Sequence, residues 1–335
     1  MKIRVKTLSF LALVIVLPLA LTTAGTSAYA ANKPIRLGVM VDMATSYIPI
    51  LGEELGIFKK YGIEVKSNEF SAGINTLDAL ALEQLDLGQA ADFAALNRIG
   101  GAEKSNLRIY AKLATSRPAS QGFYVNDDSV TQISDLANKS IVLRKGTVDE
   151  YWVARLLELN SVDPKSVKLL PVTSYPEGVA IVTSGKATGM WASGKAGLTL
   201  KETGGIRQIA DLSTIGAPTV TILISTQKFL DENREDMVNY LKAVGEILDL
   251  MAEDPERAAR IVNEKSNVPT EQVLLNIKRE EISLGFGQDT LDALENINKW
   301  GFDAGFIKYP YSVRDYVDVE ALRKAFPGRV TLERR

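Results

Sequence analysis

From residue 34 onward the chain alternates between short extended runs and amphipathic helical ones, and it does so twice. "PIRLGVMV" reads as a strand, and "YIPILGEELGIFKKYG" as a helix stopped at Gly62. "IEVKSNEF", "LGQAA" and "LRIYAKLA" read as strands separated by the helices "GINTLDALALEQLD" and "DFAALNRI". Strands spaced by helices predict a parallel sheet covered on both faces. After "TSRPASQG" the pattern restarts, with "FYVN", "SIVLR", "VKLLPV", "TGMWA" and "VTILIS" as strands and helices over 147–160 and near 176–185. Proline biases its predecessor towards extended backbone, so Arg117-Pro118 reads as a crossing between lobes. From Gln227 the chain turns helical and charged, and "TEQVLLNIKREEI" and "DTLDALENINKWGFDAG" continue that pattern. The expected organisation is a first lobe over 31–117, a second over 118–226, and a helical block over 227–335 that packs back on the first.

The first thirty residues have the order of a secretory leader. Lys2, Arg4 and Lys6 precede the apolar run "LSFLALVIVLPLAL" and a small-residue exit at Ala28-Tyr29-Ala30, which predicts cleavage between Ala30 and Ala31. Pro18 interrupts a run shorter than the roughly 20 residues a membrane span needs. A lipoprotein anchor needs a cysteine just after the leader and the chain has none, so the mature protein is expected free in a periplasm, with no stable membrane insertion.

Histidine is missing as well as cysteine. No Ser-His-Asp or Cys-His dyad can be built, and the usual imidazole and thiolate zinc ligands are gone. Neither a metal nor a cofactor is expected, and a binding role is favoured over an enzymatic one. The balance of 39 Lys and Arg against 41 Asp and Glu, with no basic block, makes nucleic acid a poor partner.

In open α/β sheets ligands collect beyond the carboxyl ends of the strands, where helix N-termini point. Four strand-to-helix corners of small and hydroxyl residues fit that place: 41–47, 70–76, 90–96 and 144–151. In the last, Thr147 and Glu150 have the spacing of a capping box, while Lys145 and the Gly146-Thr147 backbone either face a ligand or simply meet solvent. Val148, Trp152, Leu156 and Leu159 fall on one apolar face, which assigns Trp152 to the core. Asp92 either caps the helix opening at Phe93 or also faces a cleft. Asp42 caps or contacts, Arg117 clamps an acidic group or pairs structurally, and Trp191 walls a cleft or fills the core.

Residues 34–96 together with "VTQISDLANKSIVLRKGTVDEYWVARLLELN" resemble the substrate-binding proteins of bacterial ABC importers, of the nitrate, sulfonate and taurine type. The resemblance implies a two-lobed α/β periplasmic-binding-protein fold (Venus flytrap) of type II, with two crossover segments. It implies a small-molecule ligand held between the lobes and delivery to a permease whose ATPase subunits are separate chains. By position the cleft would be lined by Asp42, Thr45, Ser46, Tyr47, Gly73, Asn75, Ala91, Asp92, Phe93, Arg117, Lys145, Gly146, Thr147 and Trp191. Many relatives carry an acid where this chain has Ala187-Thr188-Gly189, so its second wall is expected to differ. The related thiamine-pyrimidine synthases rely on His and a Cys-rich motif, and both are missing here. The ligand implied is a small organic anion or a zwitterion such as taurine, the protein a monomer. A ligand-sensing subunit of a membrane receptor is the alternative role for the same fold.

Overall fold

A computed structural model describes residues 33–41, 43–216 and 218–333. The expected leader, its cleavage point and Asp42 lie outside the described residues. Among the described residues eleven strands form two sheets. The first contains β1 (Ile35–Met40), β2 (Val65–Phe70), β3 (Leu87–Ala91) and β4 (Leu107–Ser116). The chain then leaves for β5 (Gln121–Val125), β6 (Ser140–Arg144), β7 (Lys168–Val172), β8 (Gly189–Ser193) and β9 (Arg207–Asp211) of the second. It returns for β10 (Val220–Thr226) and β11 (Glu280–Gly285). The sheet orders are β11-β4-β10-β3-β1-β2 and β7-β6-β8-β5-β9.

Three expectations need correction. The sheets are mixed rather than parallel. β1 pairs parallel with β2 and β3, and β6 with β7 and β8, but β10 runs antiparallel between β3 and β4, and β5 antiparallel between β8 and β9. Each antiparallel insert is the first strand after a crossing. A chain that crosses at the carboxyl ends of one set of strands enters the next sheet from that same end, and so runs against it. Secondly, "VTILIS" belongs to the first sheet, so the return precedes Val220 instead of following Thr226. Every position of β10 is buried, as befits a strand with neighbours on both sides. Thirdly, Glu280-Glu281-Ile282 opens β11 rather than ending a helix. It is an edge strand, as is β9, which the pattern did not show. A strand with one neighbour needs only a short apolar signal.

Glycine sets one early break. The helix expected over 47–62 is two, Ile48–Glu54 and Ile57–Lys60, because Gly56 takes a left-handed φ of 66° between them. The first sheet and its helices, including Arg234–Glu253, share one apolar core. The second sheet has a core on each face. An aromatic seam joins the two sides: Phe93 stacks on Tyr151 at 5.4 Å between ring centroids and meets Trp300 edge-on at 6.1 Å. Among the described residues no helix is long and apolar enough to cross a membrane.

Candidate functional site

The six parallel-paired strands deliver their carboxyl ends to one cavity of about 250 Å³. Met40 ends β1, Ala91 ends β3, Arg144 ends β6 and Ser193 ends β8; Ser71 directly follows β2 and Ser174 lies two residues past β7, and all six line the wall. Residues from all four sequence corners reach it.

Five helices begin there. Ala72, Ala91, Thr147, Ser174 and Ser193 line the cavity, and each is the residue preceding a helix: Gly73–Ala81, Asp92–Gly100, Val148–Leu159, Tyr175–Thr183 and Gly194–Glu202. Each helix start carries partial positive charge on unbonded N–H groups, worth about 0.3–1 kcal/mol to an exposed anion and up to ~2 kcal/mol to a partly buried one. Three of the five starts are already compensated by acids: Asp92, the pair Asp149 and Glu150, and Glu177. The Gly73 and Gly194 helices have no acid in the first turn and no side-chain cap. One follows a strand of the first sheet and the other a strand of the second, and the residues just before both helices, Ala72 and Ser193, line the cavity. The N-terminal turns of this pair are where a guest anion finds uncompensated donors.

Arg144 is the one charged side chain on the wall among the described residues, and it is spoken for. Its Nε and Nη2 donate to Asp149 at 2.8 Å each, its backbone N–H donates to the same carboxylate at 3.2 Å, and its guanidinium lies 3.7 Å from the Tyr175 ring centroid. Burial pushes the Tyr175 phenol up to about 12, with the Asp149 charge adding to the shift, so it remains a neutral donor at physiological pH. The rest of the wall alternates hydroxyls (Ser116, Thr219, Thr221) with apolar surface from Met40, Val148 and Trp152. Trp152 is core, as expected, yet one edge lines the cavity while its Nε1 donates to Thr219 Oγ1 at 3.0 Å.

The expected site residues divide. Gly73, Ala91 and Thr147 are on the wall. Thr147 Oγ1 accepts from the Asp149 N–H and donates to the Arg144 carbonyl, whereas Glu150 accepts from the Gly146 N–H and so reaches one residue further back than a capping box would. Gly146, at a left-handed φ of 75°, stands opposite Ile74, and Lys145 points to solvent. The remaining residues are off the wall. Thr45, Ser46 and Tyr47 are buried in a turn, where Ser46 Oγ donates to the Met43 carbonyl and Tyr47 accepts from Asn276 at 2.7 Å. Asn75 and Arg117 are exposed. Asp92 is inside the protein, accepting from the Phe93 and Val220 N–H groups at 2.7 and 2.8 Å. It thereby ties down the first residue of β10, and burial pushes its carboxyl up to about 6 against those bonds. Phe93 belongs to the aromatic seam. Trp191 is 1% exposed and packs against Phe123 and Trp152, because β8 turns it to the face that the Val148 helix covers.

Arg144, Ser174, Tyr175 and Ser193 went unnamed as site residues, although their signals were present. "TSYPEG" has Ser174 before the helix, proline at the second helical position and Glu177 at the third, a helix start of the same kind as the four corners. "ASGK" after β8 is another.

The chain is 22% identical over 304 residues to a putative aliphatic sulfonates-binding protein of Bacillus subtilis, covering 88% of each. It superposes on the alkanesulfonate-binding protein SsuA of Xanthomonas axonopodis bound to MOPS with a TM-score of 0.73 at 16% identity, over 85% of this chain and 98% of that one. The periplasmic aliphatic sulphonate binding protein SsuA of Escherichia coli gives 0.71 at 14% identity, over 85% and 97%. These likenesses establish the two-lobed periplasmic-binding-protein fold. The sequence model of the NMT1/THI5-like family matches residues 45–258, well over half of the chain, and the protein therefore belongs to that family.

Proposed function

We propose that the protein captures a small organic anion, a sulfonate in the first instance, and presents it to the permease of an ABC importer whose ATPase subunits are separate chains. One observation carries the reading: the residues preceding five helices line one cavity, and two of those helices, one from each sheet, begin with neither a side-chain cap nor an acid. The six-stranded sheet with its C-terminal helices acts as one lobe and the five-stranded sheet as the other. A ligand drives closure to the extent that it binds the closed form more tightly. Micromolar capture needs about −8 kcal/mol, within reach of two helix starts, several hydroxyl donors and the apolar wall. Sulfonate-binding names among the relatives support the ligand class. The role is capture without turnover by a monomer, in a periplasm, after removal of the leader at Ala30. Calorimetric titration with ethanesulfonate, taurine and nitrate tests it. Saturable one-to-one binding of a sulfonate is expected, and silence from all three would overturn the ligand class.

A further inference from the structure

Gln121 opens β5 immediately after the first crossing. It lines the cavity, it is 5% exposed, and its Oε1 has no hydrogen-bond partner among the described residues. A buried amide oxygen without a donor costs free energy, so such groups are normally paired. Its place in the register says what could pair it. Gln121 stands directly opposite Ser193 across the β5–β8 ladder, and cross-strand partners point to the same face. Ser193 precedes the uncapped Gly194 helix, one of the two starts assigned to the anion. An anionic head group has only acceptors and cannot satisfy Oε1. An N–H group a few atoms from that head can.

We infer that Gln121 is a specificity-determining residue that selects anions carrying an N–H donor close to the charged head, over the same anions without one. The inference rests on the anion-capture reading above. A site built to bond a ligand N–H discriminates against the analogue lacking it because its own buried group is then left unpaired.

Taurine and ethanesulfonate share the sulfonate head and the two-carbon chain and differ by the terminal amino group, so calorimetry of both against wild type and Gln121→Met reads the effect. Wild type is expected to prefer taurine by roughly tenfold or more. Gln121→Met is expected to lose that preference, through weaker taurine binding and tighter ethanesulfonate binding once no amide oxygen is left unpaired, and Gln121→Glu, which keeps an acceptor, to restore it. The melting curves of both variants establish folding. Equal affinities in wild type, or a taurine preference that survives Gln121→Met, would overturn the role of Gln121 and leave anion capture standing. Failure of both sulfonates to bind wild type would overturn the two together.

Discussion

Asp149→Asn isolates the electrostatics of the cavity wall. Asp149 and Arg144 are 2% and 9% exposed, and the carboxylate receives three hydrogen bonds from Arg144, two from its guanidinium and one from its backbone. Asparagine preserves shape and one acceptor oxygen but removes the counter-charge. Breaking a buried ion pair from one side costs about 3–5 kcal/mol, because the surviving charge is left uncompensated. The Tyr175 ring, against which the guanidinium stacks, offsets part of that loss, which places the expected cost near 3 kcal/mol. For a chain of this size that is a fall of about 5 °C in melting temperature. The freed cation now faces the cavity, so anion affinity should rise as stability falls, and saturating ethanesulfonate should recover more melting temperature in the variant than in wild type. The pair Arg144→Met with Asp149→Leu, apolar on both sides, should melt close to wild type. Scanning calorimetry with and without ligand reads all of this. A single variant that melts with wild type and binds anions no better would refute the argument, since Arg144 would then be neither buried nor dependent on Asp149.

Burial pushes Glu280 up to about 7, against Arg279 and the Ala44 N–H, and Asp92 up to about 6. The native state therefore holds protons that unfolded carboxyls near pH 4 have released, and stability should fall as pH rises from about 4 to 7. Glu280→Gln should flatten about half of that slope and raise the melting temperature at pH 8; a variant no more stable than wild type at pH 8 would contradict it. Trp152→Phe keeps the ring packing but removes the bond to Thr219, and should cost about 1 kcal/mol in chemical unfolding. A loss above about 3 kcal/mol would mean that the indole packs more than it bonds.

Much of this was legible in the sequence, because backbone geometry follows from short-range signals. Alternating strands and helices gave the α/β class, and small-residue corners marked where ligand-facing backbone lies. Gly73, Ala91 and Thr147, which that rule names, line the cavity. What failed was whatever depends on long-range placement. The direction of β5 and β10 is set by the crossings, which no local pattern encodes. Trp191 and Phe93 sit at strand and helix ends that suit a cleft, and only the register of β8 and the seam with Tyr151 and Trp300 turn them inward. Arg117 and Lys145 were chosen for charge. The structure instead puts the wall's cation at Arg144, one residue earlier, where the strand's alternation points it at the cavity and at Asp149.

The central claim is that a guest anion lodges between the starts of the Gly73 and Gly194 helices. Backbone amide resonances followed through a titration with ethanesulfonate test it residue by residue. The account predicts that the largest shifts fall at Gly73 and Gly194 and their immediate neighbours, saturating together. Saturable shifts confined to another surface, with both glycines unmoved, would contradict it.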